Sequence, residues 1–182
     1  MLDHVVAVLE ELGLQYAIGG SVAAMAYGDP RGTMDADIVV RLRLGDLPAF
    51  LSRFPSPEYY VDAATVRRAV LDRTQFNIVH ATSAWKADIY LDGDYISTQQ
   101  LARPRRMETD KGYHANFSPP EELIIKKMEA YAQLGSEKHL SDIVTMLTKS
   151  GDQIDTKRVE MLAAEEGLAH VWQAILVRIK RG

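Results

Sequence analysis

The residues best suited to chemistry fall in one ordered set. They are Gly19-Gly20-Ser21, then Arg31-Gly32-Thr33-Met34-Asp35-Ala36-Asp37-Ile38-Val39-Val40, then a further aspartate in Trp85-Lys86-Ala87-Asp88-Ile89-Tyr90-Leu91. Two glycines at a strand-to-helix turn let the backbone approach a ligand closely. The helix start that follows offers free N–H groups and the positive end of a dipole, which suits a phosphate. Ser21 adds a hydroxyl donor. A Gly-Gly after a strand, taken alone, is more often a tight turn. Asp35 and Asp37 stand two apart in an alternating strand, so both carboxylates share one face, while Ala36 and Ile38 turn to the other. Neighbouring carboxylates repel unless a cation lies between them, and Mg²⁺ favours such hard oxygens together with substrate phosphates. The plainer alternative is a solvated strand edge with two acids. Asp88, inside an apolar strand, needs a reason to be there. A metal site shared with Asp35 and Asp37 supplies one; an exposed strand face, which Lys86 would also occupy, is the alternative.

Other polar residues carry less. Arg31 either holds a phosphate or pairs with Asp35. His80 and His114 have no partner at ligand spacing and are assigned no chemistry. Trp85 and Trp172 read as packing residues rather than base-stacking platforms. Asp142 either orients a lysine or simply decorates a surface helix, and the second, structural reading is preferred.

These residues must be positioned by ordinary elements. Leu2, Val5, Val6, Leu9 and Leu12 have helical spacing, stopped by Gly13. Residues 14–18 are β-like and run into the Gly-Gly-Ser turn; residues 22–27 are helical. Strands are predicted over about 35–42, 75–80 and 86–91. Helices are predicted over about 47–53 and from an Asp62 N-cap through Val70. Residues 97–114 are polar and basic without a clear period and are read as loop with one short strand, a candidate mobile cover for the cleft. At Phe117-Ser118-Pro119-Pro120-Glu121-Glu122 the character changes to a strong helix start. Four helices follow, over about 119–134, 137–149, 155–166 and 168–180. The layout is α+β, a short mixed sheet flanked by helices over residues 1–116, followed by a helical bundle over 117–182.

Composition sets the outer bounds. The chain has 182 residues, 47% apolar and 25% charged, and no cysteine. It can bury a real core without staples, and disulfides and thiolate metal sites are excluded. A net charge of −4 argues against a strong sequence-independent grip on nucleic acid; Arg103, Arg105 and Arg106 are the best local basic patch. The first residues lack the pattern of a signal peptide and no apolar run is long enough to span a bilayer, so the expected location is cytoplasmic, with no membrane partner.

The order Gly-Gly-Ser, spacer, Asp-x-Asp in an apolar strand, then a lone Asp in a later strand resembles the DNA polymerase β-like nucleotidyltransferase superfamily. Within it the chain is similar to small prokaryotic members, the minimal nucleotidyltransferases and relatives of abortive-infection toxins. The run Arg31-x-Thr33-x-Asp35-x-Asp37 is typical of the latter, and the thirteen residues between Ser21 and Asp35 suit the superfamily. The motif spans about residues 15–91. The tail adds Pro120-Glu121-Glu122-Leu123-Ile124-Ile125-Lys126-Lys127 and Lys138-His139-Leu140-Ser141-Asp142-Ile143, which resemble the proline-led, lysine-bearing helix of these relatives and the stretch after it.

The resemblance implies in-line attack by an acceptor hydroxyl on the α-phosphorus of a nucleoside triphosphate, with pyrophosphate leaving and two Mg²⁺ ions clamping the reacting oxygens. Asp35 and Asp37 would hold the metals, and Asp88 would complete the site and accept the acceptor's proton. Gly19, Gly20, Ser21, Arg31 and Thr33 would bind the nucleotide. Lys126, ahead of Lys127, would neutralise triphosphate charge. The acceptor would be a protein side chain, an RNA 3′ end or a small molecule such as an aminoglycoside. A cognate antitoxin or a second copy of the chain is a candidate partner; Val171, Ile175 and Ile179 would serve a dimer as well as a core. The competing reading is a binding or regulatory module of the same fold that catalyses little.

Overall fold

The computed structural model describes residues 1–181 apart from Arg31, Ala84 and Asp110, and apart from the side chain of Arg181. Among the described residues the elements run α1 (Leu2–Glu11), β1 (Tyr16–Ile18), α2 (Gly20–Tyr27), β2 (Asp35–Val40), a 3-10 turn (Leu44–Asp46), α3 (Leu47–Leu51), β3 (Tyr59–Tyr60), α4 (Ala63–Asp72), β4 (Gln75–His80), β5 (Lys86–Leu91), α5 (Tyr95–Ala102), β6 (Arg105–Glu108) and β7 (His114–Phe117). The rest is helical: α6 (Pro120–Leu134), α7 (Glu137–Ser150), a 3-10 turn (Gly151–Gln153), α8 (Thr156–Glu165) and α9 (Ala169–Arg181). The fold is α+β, as the sequence predicts. Two compact units form: Met1–Gly19 with Thr33–Ser118, and Gly20–Gly32 with Pro119–Gly182. The Gly20–Gly32 segment, which the sequence reading placed with the front half, therefore goes with the helices of the second unit.

The first unit is built on a mixed sheet in the order β3-β4-β5-β2-β1-β7-β6. The pairs β2/β5 and β1/β7 are parallel, and the other neighbours are antiparallel. Alternation divides its centre cleanly. Ala36, Ile38 and Val40 on β2, Ala87, Ile89 and Leu91 on β5, and Phe76 and Ile78 on β4 are all buried. The other face of β2 and β5 carries Asp35, Asp37 and Val39 beside Lys86, Asp88 and Tyr90. The far end of that face is covered: Val39, Ala17 and Leu101 of α5 form a buried cluster, with the Tyr90 side chain packed against it.

Helix α5 corrects the reading of residues 97–114 as loop. The Asp94 carboxylate accepts from Ser97 N at 2.7 Å, and Ser97 Oγ accepts in turn from Asp94 N at 3.1 Å, a reciprocal cap that starts a helix without an apolar period. Ile96, Ser97, Gln100 and Leu101 are buried. Strands β6 and β7 then pair antiparallel, so the segment holds a helix and two strands. The short β3 was likewise not anticipated. In the basic stretch, Arg106 is ion-paired with Glu10.

The second unit packs α2 with α6 and α7, and α8 with α6 and α9. Helix α6 begins at Pro120 with Glu121 and Glu122 in its first turn, where carboxylates complement the helix dipole. Both glutamates are buried. Glu121 Oε1 accepts from Asp155 N at 2.9 Å, and Glu122 Oε1 accepts from Arg158 Nε at 3.1 Å, which pins α8 to the start of α6. Trp172, Val171 and Ile175 are buried in this unit's own core.

Lys127 is also buried, and its Nζ lies 2.7 Å from Asp142 Oδ2 on α7. Asp142 is therefore the counter-ion of a desolvated ammonium rather than a surface decoration. Removing one member of such a pair leaves an uncompensated buried charge, at a cost of about 3–5 kcal/mol. Urea denaturation of Asp142→Ala is expected to show a loss of that order, with most of it recovered when Lys127→Met is added; a loss below about 1 kcal/mol would contradict the pairing.

Candidate active site

The site of the first unit is set by a single register. In the parallel pair β2/β5, Asp35 lies opposite Lys86 and Asp37 opposite Asp88. Because both strands bury their intervening residues, the three aspartates are held on one face, as their spacing predicts. Asp35 is exposed, whereas Asp37 and Asp88 are half-buried. On the other side of β5, Asn77 of β4 is the register neighbour of Asp88. Among the described residues of β2 and β5 the face thus reads as three carboxylates and one ammonium at its acidic end, grading into Tyr90, Val39 and Leu101 at its apolar end.

The glycine turn meets this face through the backbone. Gly19 N donates to the carbonyl oxygen of Asp37 at 2.7 Å, and Ser118 N donates to Ile18 O at 2.8 Å. A Cβ on Gly19 would stand 3.6 Å from Ser118 Oγ and 3.7 Å from Asp37 O, so the chain passes close to both. Ser118 Oγ is itself held by Gln100 Nε2 at 3.1 Å. Gly20 has φ of +55°, a conformation that glycine adopts at no steric cost. Gly20 and Ser21 open α2 and belong to the second unit.

The remaining expected residues fall as follows. Thr33 Oγ1 lies 3.1 Å from Asp35 O and accepts from Asp35 N at 3.3 Å, so its hydroxyl fastens the start of β2. Arg31 lies outside the described residues. Lys126, on α6 in the second unit, pairs with Glu129 at 3.0 Å. A small cavity in that unit, about 140 Å³, is lined by Met25, Asp29, Ser141, Asp142 and Thr145 among others. It falls short of the roughly 300 Å³ that a small-molecule site ordinarily needs.

Two residues of the site escaped the sequence reading. Lys86 Nζ lies 2.8 Å from Asp88 Oδ2, along its own strand rather than across to Asp35. The hydrogen bond to Asp88, opposed by partial burial and reinforced by the charges of Asp88, Asp35 and Asp37, holds the ammonium pKa above its ordinary value. Tyr90 is the second. Burial first, then the negative charges of Asp37 and Asp88 and a hydrogen bond to Asp37, push its phenol well above the usual tyrosine range. The available signal was parity: residues 86, 88 and 90 share one face of a strand, so whatever surrounds Asp88 includes both neighbours.

Among the described residues no three His, Cys, Asp or Glu side chains are gathered as a ready metal site. The donor chemistry of the face nevertheless fits a hard cation. Its oxygens are carboxylates on adjacent strands, and Mg²⁺ keeps waters and substrate phosphates in its shell rather than demanding an all-protein cage.

No protein-family model matches the chain, and no curated protein matches it by sequence. Solved structures do. The solution structure of the antibiotic-resistance factor ANT(2'')-Ia superimposes with a TM-score of 0.56 at 16% identity, covering 99% of this chain and 93% of that one. A crystal structure of an antigenic nucleotidyltransferase-like protein from Paracoccidioides brasiliensis gives 0.55 at 16% identity, covering 96% and 90%. The fold is that of a nucleotidyltransferase. A crystal structure of ANT(2'')-Ia in complex with adenylyl-2''-tobramycin matches as well, with a TM-score of 0.53 at 14% identity over 95% of each chain. The nucleotidyltransferase fold expected from the order of the Gly-Gly-Ser and aspartate motifs is thus found over nearly the whole length, helical tail included.

The Tyr90 environment makes a pH prediction. A phenol whose folded pKa is raised contributes stability that is intact below the unfolded value, about 10, and is lost as pH rises beyond it. Lys86, also raised, acts in the same window. Urea midpoints measured on either side of about pH 10 should fall in the wild type, and fall less in Tyr90→Phe; equal slopes in the two proteins would contradict the burial of this phenol against the carboxylates.

Proposed function

We propose that the protein is a Mg²⁺-dependent nucleotidyltransferase that transfers a nucleoside monophosphate from a triphosphate to an acceptor hydroxyl, releasing pyrophosphate. The observation that carries this reading is the β2/β5 register, which sets Asp37 beside Asp88 with Asp35 on the same face. Carboxylates kept together on a partly solvated strand face have a use when a divalent cation and a phosphate share the place, and little use otherwise. The nucleotidyltransferase fold supports the same conclusion independently.

In this reading Asp35 and Asp37 would hold the Mg²⁺ ions, Asp88 would complete the catalytic metal site, and the metal would supply charge stabilisation at the α-phosphate. The chain's own residues do the positioning. Asp88 accepts the acceptor's proton. Tyr90, packed against the cluster of Ala17, Val39 and Leu101, would steady the Asp37 carboxylate through its phenol. The Gly19–Ser21 turn receives the phosphates, with backbone N–H groups and the Ser21 hydroxyl as donors, and Arg31, Thr33 and Lys126 add to nucleotide binding. Most of the rate enhancement then comes from orientation and electrostatics.

The acceptor is a hydroxyl on a small molecule, an RNA 3′ end or a protein side chain. ANT(2'')-Ia has been seen with adenylyl-2''-tobramycin, so aminoglycosides are the first acceptors to try. A partner chain of the antitoxin kind or a second copy belongs to the same proposal. Incubation of each nucleoside triphosphate, labelled at the α-phosphate, with Mg²⁺ and panels of aminoglycosides, tRNA and proteins tests it. Label is expected to move to one acceptor class with the wild type and to stay at background with Asp37→Asn. Transfer by Asp37→Asn at the wild-type rate would refute the assignment.

A further inference from the structure

The acidic face already contains a cation. Lys86 sits opposite Asp35 in the β2/β5 register and two residues before Asp88, and its ammonium lies on Asp88 Oδ2 at 2.8 Å. The lysine side chain is about one-third exposed and the aspartate 14% exposed, so the pair is shielded from solvent on one side only. Asp35 and Asp37 lie near enough to act on Lys86 electrostatically. The Lys86 ammonium thus offsets the charge of Asp88, the carboxylate that the proposed chemistry needs free.

We propose that Lys86 is a built-in counter-ion of the carboxylate face, which lowers the affinity of that face for free divalent cations and so makes metal occupancy depend on a bound nucleoside triphosphate. The inference rests on the reading of Asp35, Asp37 and Asp88 as metal ligands. Its physical basis is competition: a divalent cation brought to the face is repelled by the ammonium at a few ångströms, through a medium less screening than bulk water. It must also do without Asp88, or draw Asp88 away from Lys86. The triphosphate changes the balance, because its own oxygens bring further negative charge and complete the cation's shell. Without Lys86 the mutual repulsion of the carboxylates is stronger, and a bound cation relieves it. Lys86 is a positioning residue in this scheme, acting through Asp88 and the cation rather than on the substrate.

The test is free-metal binding, read without turnover. Mn²⁺ serves as the probe, titrated into the intact protein and counted by loss of the free-ion electron paramagnetic resonance signal, with and without a non-hydrolysable triphosphate analogue. In the absence of nucleotide, Lys86→Met is expected to bind Mn²⁺ at least about tenfold more tightly than wild type. Lys86→Arg, which keeps the charge, is expected to stay near wild type. Adding Asp88→Asn to Lys86→Met should remove most of the gain. Equal Mn²⁺ affinity in wild type and Lys86→Met, with binding lost in Asp37→Asn, would overturn the counter-ion role while leaving the metal site intact. So would an Arg variant as tight as the Met variant. Absence of Mn²⁺ binding in every protein, with or without the analogue, would overturn the metal-site reading and this inference with it. Circular dichroism on each variant separates these results from loss of fold.

Discussion

Everything in the first unit depends on the parallel register of β2 against β5. With Asp37 opposite Asp88, Ala36 and Ile38 stack on Ala87 and Ile89, and the buried side of the sheet closes. A slip of β2 by one residue would send Asp35 and Asp37 into that core and bring Ala36, Ile38 and Val40 to the outer face. The hydrophobic pattern therefore enforces the arrangement that the proposed chemistry requires. Core formation pays for the electrostatic strain, and the carboxylates need no stabilising interaction of their own to be held side by side.

That strain is nonetheless managed locally. The Tyr90 phenol is near enough to Asp37 to feel its charge, its ring packed against the cluster of Ala17, Val39 and Leu101, and Asp88 is ion-paired with Lys86. The two devices differ. A phenol supports a carboxylate by donating a proton while leaving its charge in place, whereas an ammonium cancels charge and competes with any other cation. In the proposed reading the face is steadied at Asp37 and guarded at Asp88. Helix α5 is part of this arrangement because its Leu101 belongs to the cluster that the Tyr90 ring packs against.

Much of this was legible in the sequence. β2, β4 and β5 show alternation of small or branched apolar residues with polar ones, the pattern a half-buried strand must have. The helical tail is announced by Ser118-Pro119-Pro120 and punctuated by Gly135, Gly151 and Gly167. The fold followed from the order of these elements. What stayed hidden had physical reasons. α5 buries Ser97 and Gln100 along with Ile96 and Leu101, so no apolar stripe betrays it, and its start is specified by the Asp94–Ser97 cap alone. β6 reads Arg-Arg-Met-Glu because it is an edge strand with little buried surface. Lys127 and Asp142 sit on different helices, and only their packing reveals that each is the other's counter-ion. Lys86 was visible, but only as part of the alternative reading of an exposed strand face; that it pairs with Asp88 follows from side-chain reach rather than spacing. The division between Gly19 and Gly20 could not be read at all, because it is a property of contacts rather than of composition.

The central claim is that this face holds a nucleoside triphosphate through a divalent cation, and it can be tested without knowing the acceptor. Isothermal calorimetry with non-hydrolysable analogues of the four nucleoside triphosphates, with and without Mg²⁺, on wild type and Asp37→Asn, addresses it directly. The account predicts binding of at least one analogue by the wild type that requires Mg²⁺ and disappears in the variant. Failure of the wild type to bind any analogue in the presence of Mg²⁺, or equal binding by both proteins, would contradict it.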